Sequence, residues 1–285
     1  MSDEKMTWEE AVVWLRSQPD KQELTKDCYY DDPLISAARR FAESDEWQAV
    51  RQWLPPQPGY ALDMGAGRGI SSYALALAGW KVTALEPDPS AIVGTGAVSQ
   101  LAQDSGLPIQ VVRGCGEVLP FQPNTFDLVY GRQVLHHARN LQDLCREVWR
   151  VLKKTGKFIA TREHVIDNIS DLPVFLARHP LHQLYGGENA FLLSAYTDAI
   201  KRAGLIVQEK WGPFETPVNY APVTCKVWQE TIRRRISSKV GSSLANHLTE
   251  GQTIVGKYLI PLVSFVASRL SRQPGRLYSF VAVKH

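Results

Sequence analysis

Short apolar segments alternate with helical patterns through the middle of this 285-residue chain. The runs 60–64, 81–86, 108–113, 126–130 and 156–161 have the length of buried strands, and helical patterns lie between them. Such alternation predicts an α/β fold in which a parallel sheet carries helices on both faces. Ligands of such sheets bind beyond the carboxyl ends of the strands, so residues that follow strands are the first site candidates.

The run 60–64 leads into a turn with glycine at positions 65, 67 and 69, followed by a helical pattern from Ile70. Glycine lets the backbone adopt positive φ and approach a ligand, and a helix start offers free N–H groups. Asp63 lies near the end of the first strand before the turn, and Glu86 ends the second strand, where a carboxylate can accept hydrogen bonds from both hydroxyls of a ribose. The turn therefore predicts a nucleotide-like ligand.

A dinucleotide fingerprint, G-x-G-x-x-G, would require glycine at position 70, where this chain has isoleucine. A nicotinamide-dependent oxidoreductase is therefore disfavoured. The sequence instead resembles the class I S-adenosylmethionine-dependent methyltransferases, of the Rossmann-like methyltransferase type 11 kind. The resemblance covers residues 58–162 and continues through 116–121, 126–130, 135–137 and 144–157.

The resemblance implies a doubly wound seven-stranded sheet with an antiparallel last strand, and S-adenosyl-L-methionine (SAM) as cofactor. In this family the glycine turn faces the methionine part, the acid after the second strand holds the ribose, and the segment before the fourth strand flanks adenine. Cys115 stands where many relatives have an aspartate for the adenine amino group, and a thiol is a poor acceptor. Tyr29 and Tyr30 are expected either to cover the sulfonium, since aromatic faces attract cations, or to anchor the helical lid to the core. The implied cofactor residues are Asp63, Gly65, Gly67, Glu86, Cys115, Gly116, Glu117 and Tyr30.

Three regions are expected in the chain. Residues 1–57 are predicted to form an N-terminal helical lid, and residues 58–211 plus 276–285 the SAM-binding domain. Residues 212–275 separate the last two strands, 205–211 and 276–283, and carry helical patterns over 223–249 and 252–272. The first of these is basic, through Lys226, Arg233–Arg235 and Lys239, and the second is apolar. Packing onto the domain is favoured for this helical insertion over a homodimer face or membrane contact.

Histidines after the predicted strands and in the segment 179–191 are candidates for acceptor chemistry. His137 and His164 are the candidate general bases, because histidine can take a proton near neutral pH. The segment 179–191 surrounds a Gly-Gly turn with polar and aromatic groups, which is typical of substrate contact or of a capped turn. Candidate substrate-binding residues are His136, His182, Tyr185 and Glu188. His179, His182 and Glu188 match no specific metal-site spacing, so no metal is expected.

The resulting expectation is a SAM-dependent methyltransferase for a small-molecule acceptor, more often a hydroxyl oxygen of a sugar, natural product or lipid-like metabolite. The alternatives are a catalytically silent SAM-binding partner protein, suggested by Cys115, and a methyltransferase acting on RNA or protein through the basic helix. The net charge of +3 does not argue for nucleic acid. Four scattered cysteines and a polar N-terminus favour a cytoplasmic protein with reduced thiols, and no transmembrane segment is expected.

Overall fold

A single sheet organises the protein, whose computed structural model describes residues 5–240 and 254–285. Its strand order is β3-β2-β1-β4-β5-β8-β7, and the two-residue strand β6 pairs with β5. The first five strands of this order are parallel, whereas β8 runs antiparallel to both β5 and β7. The strands are β1 Tyr60–Met64, β2 Lys81–Glu86, β3 Ile109–Arg113, β4 Phe126–Arg132, β5 Leu152–Ile166, β6 Phe191–Leu192, β7 Leu205–Trp211 and β8 Arg276–Lys284.

The predicted fold class is thereby confirmed, with the small strand β6 as an addition. The helices lie before the sheet, between its strands, and in the connection from β7 to β8. They are α1 Trp8–Ser17, α2 Gln22–Asp27, α3 Leu34–Glu43, α4 Asp45–Arg51, α5 Ile70–Leu77, α6 Thr95–Ser105, α7 Leu141–Val151, α8 Leu172–Arg178, α9 Pro180–Leu184, α10 Leu193–Arg202, α11 Pro217–Tyr220, α12 Cys225–Val240 and α13 Ile254–Leu270.

Successive side chains of the strands point alternately into two hydrophobic cores, one on each face of the sheet. Leu62 of β1 and Val129 of β4 belong to the core that contains α7 and α10. Ala61 and Tyr130, each one position away, belong to the core that contains α3, α4 and α5. This two-residue period is what a sheet covered by helices on both faces requires.

The N-terminal helices divide between two positions. Phe41 of α3 and Trp47 of α4 are buried in the sheet core beside α5. Val12 and Leu15 of α1 instead pack in a separate cluster with Tyr30 and Val93, close to the glycine turn. Within residues 1–57, therefore, α3 and α4 pack in the sheet core, while α1 extends toward the turn.

The connection from β7 to β8 is helical where it is described. Trp228 of α12 donates a hydrogen bond to Ser264 of α13 over 2.9 Å, which joins the two helices. Phe214 stacks on Trp228 with ring centroids 5.0 Å apart. The parts of the predicted helices at 241–253, and the side chain of Lys239, lie outside the described residues.

A buried ion pair fixes α4 to the sheet. Arg132, the last residue of β4, donates from Nε and Nη2 to both carboxylate oxygens of Glu46, over 2.7 and 3.0 Å. Glu46 is fully enclosed, and Arg162 lies 4.0 Å from it. Burial alone would raise the pKa of Glu46, but the charges of Arg132 and Arg162 lower it below its ordinary value.

Replacing the Glu46 carboxylate should make the protein less stable. Glu46→Gln leaves the Arg132 guanidinium buried without its counterion, and we expect the free energy of unfolding to fall by about 3 kcal/mol. Urea unfolding followed by tryptophan fluorescence measures this loss. Glu43→Gln, at an exposed position of α3, is the control and should change stability by less than about 0.5 kcal/mol. Equal stability of the two variants would contradict the prediction.

Candidate functional site

The glycine turn has the backbone that its sequence predicted. Gly65, Gly67 and Gly69 all have positive φ, of 67°, 54° and 84°. A Cβ at Gly65 would come within 2.7 Å of the Val134 side chain, so only glycine fits there. The N–H groups of Gly65 and Ala66 donate to the Leu85 carbonyl at the end of β2, over 2.8 and 3.0 Å. These contacts hold the turn at the carboxyl edge of the sheet.

Glu86 ends β2 beside this turn and is 4% exposed. Its Oε2 accepts the Gly67 N–H over 2.9 Å, and its Oε1 accepts the Asp88 N–H over 3.0 Å. Burial raises the pKa of Glu86 above its ordinary value. A carboxylate oxygen has a second lone pair, so each oxygen can still accept a hydroxyl group.

Asp63 ends β1 in a deeper position and is enclosed. Ser72 of α5 donates to its Oδ2 over 2.6 Å. Burial, added to the nearby charge of Glu86, raises the pKa of Asp63 to about 7. Two carboxyl groups therefore lie at the ends of β1 and β2, on either side of the glycine turn.

Arg68, within the turn, fastens the N-terminal segment to it. Its guanidinium donates to the carbonyl groups of Tyr29 and Asp31, over 2.7 and 3.0 Å, and forms an ion pair with Asp32. Its Nε donates to the Ile92 carbonyl over 3.0 Å. Since Arg68 is 6% exposed, the segment between α2 and α3 is anchored by a buried side chain of the turn itself.

Trp8 lies against the turn, and two tyrosine side chains pack on Trp8. The ring of Trp8 is 3.5 Å from the position that a Cβ of Gly67 would take. Trp8 donates from Nε1 to the Tyr30 hydroxyl over 3.0 Å, and its ring lies 6.4 Å from that of Tyr185. The Tyr185 hydroxyl reaches Glu188 Oε1 at 3.4 Å. A continuous set of contacts thus runs from the glycine turn to Glu188.

Glu163 organises the other half of the edge and is fully buried. Its carboxylate accepts the backbone N–H groups of Val134, Leu135 and His136 over 3.1, 3.1 and 3.0 Å. The Nδ1 of His136 also contacts Glu163 Oε2 at 2.7 Å. The turn that follows β4 is therefore folded around one carboxylate from β5.

His136 is buried between two carboxylates. Its Nε2 lies 3.5 Å from Glu188 Oε2, and it has no partner with hydrogen-bond geometry. Burial lowers the pKa of His136, but the hydrogen bond to Glu163 and the nearby Glu188 carboxylate outweigh it and raise the pKa to about 9.

His164 and His137 lie on either side of His136. The ring of His164 is 4.8 Å from that of His136, and the ring of His137 is 4.2 Å from it. The Nδ1 of His164 donates to the Gly275 carbonyl over 2.8 Å, and that of His137 to the Gly187 carbonyl over 3.0 Å. A carbonyl can only accept, so Nδ1 carries the proton in both rings and Nε2 is the basic atom. Burial keeps the pKa of His164 well below its ordinary value, whereas His137 is exposed.

The remaining sequence candidates have separate environments. Cys115 is exposed and pairs with Val118 in an isolated bridge. A Cβ at Gly116 would touch Leu144 and Met64 at 3.1 Å, and Glu117 accepts the Arg139 N–H over 2.8 Å. The His182 N–H contacts His179 Nδ1 at 3.3 Å, so His182 lies beside the cluster without joining it.

Several predicted strand bounds differ from the structure, most of all those of the fifth strand, which was predicted at 156–161 and extends over Leu152–Ile166. Arg162, Glu163 and His164 were expected to follow the fifth strand, but β5 continues to Ile166 and contains all three. Opposite Ser279 of β8, β5 has an extra residue, and Arg162 takes a positive φ of 63°. This bulge turns Glu163 and His164 toward the site. Residues 162–164 are polar and follow an apolar run, so the sequence pattern did not indicate that β5 continues to pair with β8 beyond residue 161.

Sequence reasoning also missed Trp8, Arg68 and the central position of Glu163. Trp8 reads as an apolar helix position, and Arg68 as a polar turn residue. Trp8 contacts Tyr30, 22 residues away in the sequence, and Arg68 contacts Asp32, 36 residues away. Local patterns carry no information on such pairs.

The sheet order, with β8 inserted antiparallel between β5 and β7, and the glycine turn beyond β1 define the Rossmann-like methyltransferase fold. Comparisons with known proteins agree. Residues 62–160 match the family described as "Methyltransferase domain". A solved structure of a putative sarcosine dimethylglycine methyltransferase from Galdieria sulphuraria superposes with a TM-score of 0.58 at 17% identity, covering 96% of this chain and 98% of that one. This likeness shows the shared fold.

Curated relatives are similar in sequence over part of their length. A sarcosine/dimethylglycine N-methyltransferase of Halorhodospira halochloris is 31% identical over 53% of this chain and 52% of its own length. A ubiquinone biosynthesis O-methyltransferase of Methylobacterium nodulans is 28% identical over 59% of this chain and 68% of its own. The chain thus spans about half the length of the first of these. Residues 62–160 are therefore similar to the methyltransferase domain family, and the sheet has the Rossmann-like methyltransferase fold. Among the described helices, none is long and apolar enough to cross a membrane.

The raised pKa of Asp63 predicts how stability depends on pH. Between about pH 4 and 7 the folded protein keeps a proton on Asp63 that the unfolded chain has lost. Stability from this group is therefore present at low pH and is lost as pH rises toward 7, by at most about 1.4 kcal/mol per pH unit. Asp63→Asn, which cannot ionise, should gain stability relative to the natural protein over that window.

Urea unfolding at pH 5, 6, 7 and 8 measures the difference. Asp104→Asn, at an exposed position of α6, is the control and should follow the natural protein. If the free energy of unfolding of the natural protein and that of Asp63→Asn changed in parallel with pH, Asp63 would ionise normally in the folded state.

Proposed function

We propose that this protein is a SAM-dependent methyltransferase for a small-molecule acceptor, with a hydroxyl oxygen as the methylated atom. The observation that carries the proposal is the buried Glu86 carboxylate, bonded to Gly67 beside three glycines of positive φ. This arrangement lies where the strand order reverses between β1 and β4, which is where doubly wound sheets bind their ligands.

The residues fit SAM. Glu86 has lone pairs for the two ribose hydroxyls. A ligand can also approach the backbone at Gly67, because the Trp8 ring is the group that lies within 4 Å of the position a Cβ would take there. We assign the methionine side to Asp63, Gly65 and Gly67, and the adenine side to the segment of Cys115, Gly116 and Glu117. With Cys115 exposed, adenine recognition falls to backbone groups there.

SAM supplies, when bound, a methyl group on an electrophilic sulfonium. The chain has to align the acceptor with that methyl group and to exclude water. Trp8, Tyr30 and Tyr185 suit both tasks, because Trp8 lies against the turn, the two tyrosines pack on Trp8, and aromatic faces attract a cation. Arg68 keeps this aromatic group in place through the segment 29–32.

We assign proton removal from the acceptor to His137. The Gly187 carbonyl fixes its Nδ1 as the protonated nitrogen, so Nε2 is free to take a proton. His137 is exposed and next to the buried cluster of His136 and Glu188, which we assign to acceptor contact together with Tyr185 and His182. His164, the other candidate base of the sequence, is buried and neutral.

The relatives support methyl transfer and leave two acceptor chemistries. One is named for an N-methyltransferase and the other for an O-methyltransferase. A fixed basic nitrogen favours the hydroxyl acceptor, because an uncharged amine is already nucleophilic whereas a hydroxyl has to lose its proton. A catalytically silent SAM-binding protein and an enzyme for RNA or protein remain alternatives that the experiments below separate.

Glu86→Gln should weaken binding of the cofactor and its product. The amide keeps the size of the side chain but loses one acceptor and the charge, so we expect at least about a tenfold higher Kd for SAM and S-adenosylhomocysteine. Calorimetric titration measures both, with NAD as a ligand that should not bind. Glu43→Gln is the matched surface control. Natural protein that binds neither adenosyl compound would overturn the proposed function.

His137→Gln tests the acceptor chemistry. A screen with methyl-labelled SAM against phenols, sugars and secondary amines identifies the acceptor class. For a hydroxyl acceptor we expect kcat to fall by about 100-fold or more, with the Kd of S-adenosylhomocysteine unchanged. His285→Gln, at the exposed C-terminal position, should keep full activity. Undiminished turnover of His137→Gln on a hydroxyl acceptor would exclude His137 as the base.

A further inference from the structure

Three buried side chains converge from three separate segments beside the glycine turn. His136 comes from the turn after β4, His164 from β5, and Glu188 from the Gly-Gly loop after α9. Each offers one ligand atom, and these atoms lie within 4.8 Å of one another. None of the three side chains is more than 9% exposed. The set differs from His179, His182 and Glu188, the combination that sequence spacing disfavours.

The two imidazole rings leave the same kind of atom unused. The Nε2 atoms of His136 and His164 are both buried, and neither has a hydrogen-bond partner among the described residues. Leaving a buried polar nitrogen unpaired is costly, and native structures rarely retain two of them in one place. A metal ion would satisfy both nitrogens: it would bind the lone pair of Nε2 on the neutral His164 ring, and on His136 it would take the place of the proton that Nε2 otherwise directs toward Glu188.

The opposite edge of each ring is anchored. The Nδ1 of His136 contacts Glu163 Oε2 at 2.7 Å, and the Nδ1 of His164 donates to the Gly275 carbonyl over 2.8 Å. Histidines that bind metals almost always hold their second nitrogen in this way, on a carboxylate or a backbone carbonyl. The anchors fix the orientation of both rings and make Nε2 the ligand atom.

We propose that His136, His164 and Glu188 bind a divalent transition-metal ion. Two imidazole nitrogens with one carboxylate are a donor set that suits Zn²⁺ or Fe²⁺, and three protein ligands leave coordination positions for another molecule. Bonds of about 2.0–2.2 Å place ligand atoms roughly 3–3.6 Å apart, so the three side chains close in by about 1 Å around the ion. Magnesium, which prefers oxygen ligands, is disfavoured.

The ion would lie on the acceptor side of the proposed methyl-transfer site. Val134, two residues before His136, packs against Gly65, and Tyr185 joins Glu188 to Trp8 above Gly67. An acceptor hydroxyl bound to the ion would become more acidic, which makes it a better nucleophile. This use rests on the proposed function, whereas binding of the ion does not.

Metal binding is tested on untagged, chelator-treated protein of the full sequence. We expect one Zn²⁺ per chain by calorimetry, one Co²⁺ with visible d–d absorption, and no binding of Mg²⁺. His164→Ala and Glu188→Gln should each raise the Kd for Zn²⁺ by about 100-fold or more. His285→Ala is the matched control and should bind as the natural protein does.

Thermal unfolding gives a second readout. A ligand of the folded state raises Tm, so Zn²⁺ should raise the Tm of the natural protein and of His285→Ala but leave that of His164→Ala nearly unchanged. Should His164→Ala fail to fold, Glu188→Gln answers the same question. The metal site is overturned if the natural protein does not bind Zn²⁺ stoichiometrically, or if both site variants bind Zn²⁺ as tightly as the natural protein does.

Titration of the same samples with S-adenosylhomocysteine separates the two proposals. Binding of this compound by protein that takes up no metal overturns the metal site and leaves the proposed methyl transfer standing. Stoichiometric metal with no binding of the adenosyl compound supports the metal site and overturns the proposed function.

Discussion

The structure around the site depends on one buried carboxylate. Glu163 accepts three consecutive backbone N–H groups and contacts the His136 ring, so it does for the turn after β4 what a capping residue does for a helix. That turn carries Val134, which fills the space above Gly65, as well as His136 and His137. A side chain of β5 thereby fixes both the floor of the glycine turn and the polar groups that face it.

The parts of the fold that local sequence determines were predicted well. Strands 60–64 and 81–86 have the predicted bounds, because each is a short apolar run closed by glycine or by Glu86-Pro87. The site depends on more distant partners. His164 is fixed by Gly275, 111 residues later, and a bulge at Arg162 sets its direction. No periodicity in the sequence reports a bulge or a pair so far apart, which is why the predicted fifth strand ended too early.

The polar groups of the site divide into two sets with different physical character. Asp63 and Glu86 are acids whose pKa is raised by burial, and they surround backbone N–H groups. His136, Glu163 and Glu188 form a cluster in which opposite charges offset the cost of burial. The first set lies within residues 62–160, the part of the chain that matches the methyltransferase domain family. The second comes largely from the segment after residue 160, outside the matched domain, where enzymes of one fold acquire their particular chemistry.

Arg68 and Trp8 join the N-terminal segment to the glycine turn. It lies in the turn that a ligand must reach, and it is also the residue that holds the segment 29–32 over that turn. Trp8 rests on Gly67 and is joined through Tyr185 to Glu188. A ligand bound against Gly67 would meet the Trp8 ring, whose contacts extend through Tyr185 to Glu188. For the proposed methyl transfer, this chain of contacts would couple occupancy of the glycine turn to the position of Glu188, which favours compulsory order over random binding of the two substrates.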